Sequence, residues 1–286
     1  MSGESAIAFG CEDETLFGVL HRPVQPGTRG VVIVVGGPQT RVGSHRQFVL
    51  LARALADAGV AVLRFDYRGM GDSGGAARDF TKVDADIRAA VDCLHQLVPE
   101  IHDVVLWGLC DAASAALFYA PRDARVRGIA LANPWARTDE GQARAIIHDY
   151  YLRRIVDPNL WRKILRGEFA LRASLASFGD VLRKGLGLAK PQAADHAPAA
   201  DAPFPLRERM LDGLRRFRGR VLLLLSGDDL TAREFKDMVA GTWPWRRLTR
   251  ASRVTRHDFA EMNHTFSRAV WRDDVARRTL DWLRSW

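Results

Sequence analysis

Three residue types in this chain, far apart in sequence, could do chemistry together. Cys110 sits in "VVLWGLCDAASAAL" (104–117), where an apolar run ends at Gly108 and small residues then open a helical pattern. A thiol at a sharp strand-to-helix turn is held exposed, and the N-terminal end of the helix dipole favours the thiolate, its reactive form. Asp228 and Asp229 follow the apolar run "VLLLLSG", and His264 follows "RVTRHDF" in "EMNHTFS". An imidazole within reach of the thiol could take its proton and return it to a leaving group. A carboxylate behind the imidazole would fix its tautomer and stabilise it when charged. A buried cysteine is also a good small core residue, and it is the conjunction of the three that points to catalysis.

The elements that must position these groups read as alternating strands and helices. Residues 5–22 alternate apolar and polar positions around a turn at Glu12–Glu14, a β-ribbon. "RGVVIVVGG" (29–37) is wholly apolar and valine-rich, as expected of a strand covered on both faces. A helix over 46–59 ends at Gly59, and a strand over 60–69 precedes a helix over 79–97. A strand at 103–107, the Cys110 turn, a helix at 111–120 and a strand at 126–135 follow. The pattern is that of a mostly parallel sheet with helices on both faces. It breaks after Trp135: 146–187 is helical, aromatic and basic, and 189–205, rich in Ala, Pro and Asp, reads as a flexible linker. Strands return at 219–229, and "DDVARRTLDWLRSW" forms the last helix. The expected organisation is a core over 1–136 and 206–286, interrupted by a helical insertion over 137–205.

Bulk composition narrows the class. With 286 residues the chain can bury a large core, and three cysteines (Cys11, Cys93, Cys110) do not make a disulfide framework or a zinc site. Cys93 reads as a core residue on a helix, and Cys11 as part of a polar stretch. No secretory leader and no membrane-length apolar run is visible, so a cytoplasmic protein is expected. The net charge of +8 is carried by arginine, concentrated in 137–187 and 246–286. It reads either as a solvated basic surface or as attraction to an anionic partner, such as coenzyme A or an acidic carrier protein. The basic residues form no stripe and no nucleic-acid-binding motif. Nothing calls for a metal or an organic cofactor.

On these residues the chain resembles the α/β-hydrolase superfamily. "GLCDA" is similar to the nucleophile elbow Gly-x-Ser-x-Gly, with Cys110 for the serine and Ala112 for the last glycine. "FDYRGMGDSGG" (65–75) resembles a structural segment of that family. "VGGPQ" (35–39) resembles its His-Gly-Gly-Pro oxyanion loop, with Val35 for the histidine. Together, "GGPQTRVGSHRQF", "GLCDAASA", "YYLRRI", "LWRKIL", "SGDDLTAREF" and "NHTFS" look like the subfamily called exosortase A system-associated hydrolase 1. That name marks a neighbourhood of exopolysaccharide and protein-sorting systems rather than a reaction.

The resemblance implies an α/β-hydrolase fold and a triad of Cys110, His264 and Asp229. Asp229 is preferred to Asp228 because Asp-Leu-Thr fits the family pattern. It also implies oxyanion donors at the backbone N–H of Asp111 and of Gly37. Pro38 has no N–H, and Gln39 stays an alternative to Gly37. Gln39, Arg41 and His45, with Arg46, lie where they could bind a substrate carboxylate or phosphate, or equally cap a helix and face water. The insertion, with Tyr150, Tyr151, Trp161 and Phe169, is expected to act as a lid. The leading expectation is an ester or thioester hydrolase. An acyltransferase of the same mechanism and a non-catalytic binding module are the alternatives.

Overall fold

A computed structural model describes residues 3–37, 39–136 and 205–286. The segment 137–204, which holds the expected lid and linker, lies outside the described residues, as do Tyr150, Tyr151, Trp161 and Phe169. Residues up to Ala136 and Pro205–Trp286 form one compact unit.

Its centre is an eight-stranded sheet. The strands are β1 (Gly3–Cys11), β2 (Glu14–Arg22), β3 (Arg29–Val34), β4 (Ala61–Phe65), β5 (Asp103–Leu109), β6 (Val126–Ala132), β7 (Arg220–Leu225) and β8 (Val254–Asp258). They lie in the order β1-β2-β4-β3-β5-β6-β7-β8. β1 pairs antiparallel with β2, and β2 with β4; every later pair is parallel. The helices are α1 (Gln47–Asp57), α2 (Asp84–Leu97), α3 (Asp111–Tyr119), α4 (Leu206–Arg216), α5 (Leu230–Gly241), α6 (Trp243–Thr249) and α7 (Ala269–Arg284).

The apolar strand runs are explained by two cores, one on each face of the sheet. Val32 and Val34 of β3 enter one cluster, and Val31 and Ile33 the other. β5 divides in the same way, with Val104 and Leu106 opposite Val105, Trp107 and Leu109. β7 sends Val221, Leu223 and Leu225 to one side and Leu222 and Leu224 to the other. A strand with period-2 side chains and two buried faces must be apolar throughout.

Most expected elements are present with trimmed ends. The strand expected over 60–69 stops at Phe65, because 66–75 is a clamp rather than a strand. There, Ser73 Oγ donates to Asp66 O (2.6 Å) and accepts from Phe17 N (2.9 Å). Arg68 is buried against Asp86, with Nε on Oδ1 at 3.0 Å and Nη2 on Oδ2 at 2.9 Å. Gly71 has φ +54°, and a Cβ there would strike the Asp66 carboxylate, so this turn requires glycine. Helices α4, α5 and α6 were not anticipated. Cys11 is buried rather than part of a polar surface stretch, because β1 ends against α2. Cys93 is buried on α2, as expected.

Candidate active site

The C-terminal ends of parallel strands β3, β5, β7 and β8 bring the singled-out residues to one edge of the sheet, where open α/β sheets bind ligands. Cys110 is the single residue between β5 and α3, with φ +63° and ψ −124°. A residue with a Cβ is strained in that region, and such strain persists only where the surroundings impose it. Here the surroundings are hydrogen bonds and close packing. Cys110 N donates to Ala132 O at the end of β6 (2.9 Å), and Cys110 O accepts from Trp135 N (3.1 Å). Gly108 has no room for a side chain, since a Cβ would lie 2.6 Å from the Ala112 carbonyl. Ala112 is fully buried, and its methyl group is accommodated because Gly36 faces it across the turn. Glycine at 36 thus compensates for alanine at 112. The Cys110 side chain is half-buried, while the other two cysteines are buried.

Asp229 and His264 meet: Nδ1 of the imidazole lies 3.0 Å from Asp229 Oδ2. Asp229 is also the N-cap of α5, accepting from Thr231 N (3.2 Å) and Ala232 N (3.0 Å). These bonds and the helix dipole hold a side chain that is only 6% exposed in one orientation. Asp228 is exposed, and its role is a backbone one, donating to Met262 O (3.0 Å).

Sequence reasoning missed Asn133. It is fully buried just past β6, with φ +44°. Its Nδ2 donates to Ser226 Oγ (2.9 Å) and to His264 O (3.0 Å), while its Oδ1 accepts from Ser226 N (2.8 Å). Ser226 Oγ in turn donates to Asn263 O (3.0 Å). One amide therefore ties the ends of β6 and β7 to the backbone of the histidine loop. The available signal was an asparagine at the end of an apolar strand, where αL conformation is tolerated.

The other expected residues are engaged elsewhere. The Gly37 N–H points at the neighbouring helix, where it donates to Asp111 Oδ2 (2.8 Å). Asp111 Oδ1 accepts from Ala112 N (2.9 Å). The Asp111 carboxyl is pushed up in pKa by burial, against the opposing pull of the N–H groups of Gly37, Ala112 and Asp111 itself. Gln39 Oε1 accepts from Ser44 N (3.3 Å) and Gln47 Nε2 (3.1 Å), bracing the loop before α1. The Arg41 guanidinium is committed to Asp66 and Asp72, an ion-paired brace between this loop and the 66–75 clamp. His45 is exposed, with φ +53°. Among the described residues, no group of three His, Cys, Asp or Glu side chains could hold a metal ion. No helix of the described residues is long and apolar enough to cross a membrane.

This fold and edge define an α/β enzyme scaffold of the hydrolase kind. The comparison with family models is direct: residues 31–279 match the model described as "Alpha/beta hydrolase family", and the chain belongs to that family. Among solved structures, an esterase of Pyrococcus furiosus superposes with a TM-score of 0.66 at 16% identity, covering 100% of this chain and 91% of that one. Est1E of Butyrivibrio proteoclasticus, solved with ferulic acid bound, gives a TM-score of 0.62 at 17% identity over 97% of this chain and 98% of the other. At such identities the likeness is one of fold. No curated protein sequence matches the chain.

Proposed function

We propose that the protein is an acyl hydrolase, cleaving an ester or thioester through a covalent intermediate on Cys110. The observation that carries this reading is the Asp229–His264 pair at 3.0 Å, at the same sheet edge as a cysteine held at φ +63°. With Nδ1 bonded to Asp229, Nε2 is the nitrogen left to exchange a proton with Cys110.

In this mechanism His264 takes the thiol proton as Cys110 Sγ bonds to the acyl carbon. The tetrahedral oxyanion collapses, the bond to the leaving oxygen or sulfur breaks, and the leaving group takes the proton from His264. Water, deprotonated by His264, then attacks the thioester; the Sγ–C bond breaks and the thiolate is reprotonated as the acid leaves. The Asp111 N–H at the start of α3 and the Gly37 N–H are the donors for the oxyanion. His45 and Arg46 are the polar candidates of the loop whose side chains stay exposed, since Arg41 and Gln39 are spent on bracing it.

The thioester intermediate also suits transfer to an amine or alcohol, with coenzyme A or an acyl-carrier protein as donor. Among the C-terminal arginines, Arg256, Arg272, Arg277 and Arg278 each pair with an aspartate, which leaves less free charge to dock an acidic carrier. Hydrolysis is therefore the reading we put first. The likeness to the exosortase-associated subfamily sharpens the site rather than the substrate.

The test is intact-protein mass spectrometry with a panel of acyl-coenzyme A, acyl-pantetheine and simple ester donors. Wild type should gain one acyl mass and lose it in water, and Cys110→Ala should gain none. Equal turnover by Cys110→Ala would sink the proposal. An adduct stable in water but discharged by an added amine or alcohol would move the reading to transfer.

A further inference from the structure

The residue after the nucleophile carries an anion of its own, and that anion faces the donors an oxyanion would need. The Asp111 carboxylate accepts from Gly37 N on the β3 loop (2.8 Å) and from Ala112 N on α3 (2.9 Å). Its own N–H, the first oxyanion donor of the proposed mechanism, opens the same turn of α3. Gly36 is packed so closely that a Cβ there would strike Asp111 Oδ1 and come within 2.7 Å of Ala112 N. The carboxylate is thus seated between the loop and the helix rather than turned to solvent.

We propose that the Asp111 carboxylate is the resting occupant of the oxyanion site, and that the enzyme acylates only from the form in which this side chain has withdrawn. The inference rests on the Cys110 mechanism above. The physical reason is competition. A tetrahedral oxyanion and a carboxylate cannot share the same few N–H groups, and in a half-buried site their like charges repel strongly. The bound carboxylate keeps the loop and helix in register while no substrate is present. Its departure exposes donors already aimed at a negative oxygen. Asp111 is in this sense a positioning residue whose removal accelerates the acylation step.

The experiment compares wild type, Asp111→Ala and Asp111→Asn with two probes of Cys110. p-Nitrophenyl acetate acylates through a tetrahedral oxyanion, and iodoacetamide alkylates without one. The acylation rate is read from the release of p-nitrophenol and the alkylation rate from intact mass, and the modified residue is placed on Cys110 by peptide mapping. Dividing the acylation rate by the alkylation rate cancels any change in thiol acidity. The ratio should rise tenfold or more in Asp111→Ala and by a smaller factor in Asp111→Asn, whose amide oxygen still accepts a hydrogen bond but carries no charge. The isosteric Asn variant carries the test should the Ala variant fold poorly. A ratio unchanged or lowered in the variants would overturn this inference alone, leaving Asp111 as a loop brace or as a neutral donor. No acetyl adduct and no Cys110-dependent release of p-nitrophenol from any of the three proteins, with iodoacetamide still modifying Cys110, would overturn the nucleophile reading and this inference with it.

Discussion

Replacing Asp229 by asparagine separates the two tasks that one carboxylate performs. Oδ1 and Oδ2 cap α5 through Thr231 N and Ala232 N, and Oδ2 also faces His264 Nδ1 at 3.0 Å. Asparagine keeps an oxygen for the cap, and Asn ranks with Asp as an N-cap, so the stability loss should stay near ~1 kcal/mol. The amide group cannot satisfy both the cap and the imidazole. If its NH2 turns to His264, it favours the tautomer with the proton on Nε2, and the base is lost. The proton transfer it supports is worth about 10² to 10⁴ in rate, or about 3 to 5 kcal/mol of barrier. The loss should fall toward the lower end, because a thiol needs less help than a hydroxyl to ionise. The assay is the pre-steady-state release of p-nitrophenol from its acetate ester, with unfolding in urea measured in parallel. Asp228→Asn is the companion variant; its side chain is exposed and its backbone bond to Met262 O survives, so its rate should stay within about twofold. An Asp229→Asn enzyme within threefold of wild type, or an Asp228→Asn enzyme slower than it, would refute the reasoning.

Four shorter tests follow from other contacts. Asn133→Ala removes hydrogen bonds to Ser226 and His264 O from a fully buried position, and should cost about 2 to 4 kcal/mol in urea unfolding while lowering the acylation rate. Gly36→Ala places a methyl against Asp111 and Ala112, and should destabilise by about 1 to 3 kcal/mol, read as a lowered Tm. At pH 8, iodoacetamide should modify the native protein once, at Cys110, because burial lifts the Cys93 thiol to about 11 and also raises that of Cys11; rapid modification of either buried thiol would count against this packing. His21 is buried and accepts from Arg64 Nε (2.8 Å), and burial lowers its pKa from 6.5 to about 4. Between those values the unfolded chain binds the extra proton, so His21 costs stability as pH falls from about 6.5 to about 4; the acid-side decline in Tm over that window should be shallower in His21→Gln.

The sheet was legible because its strands announce themselves locally. β3, β5 and β7 are buried on both faces, and no other arrangement of a short strand requires such unbroken apolar runs. The elbow was legible too, since a strand, a glycine and a run of small residues are neighbours in sequence. Helices α5 and α6 were not read: α5 follows its strand after only a short acidic turn, although Ala232, Phe235, Met238 and Val239 make a stripe at helical spacing, and α6 begins in "TWPWRR", where proline reads as a break although it sits comfortably in a first helical turn.

The sequence by itself determined the order of the candidate groups along the chain: a cysteine and an acid, each just past an apolar strand, then a histidine in the loop after the polar strand β8. Strand termini in a parallel sheet share one edge, so that order implies proximity without any coordinates. The resemblance preferred Asp229 of the two adjacent aspartates, and tertiary structure supplied the contact itself, because neighbouring residues leave a turn in different directions and only Asp229 faces His264. It also decided that Arg41 and Gln39 brace a loop, since their partners Asp66, Asp72 and Gln47 become neighbours only after folding. The same holds for Asn133, whose amide joins three segments distant in sequence, and for the Asp111 carboxylate, which meets Gly37 from 74 positions away. Local pattern encodes elements and their periodicity; a hydrogen bond between distant loops depends on sub-ångström placement that only the packed sheet supplies.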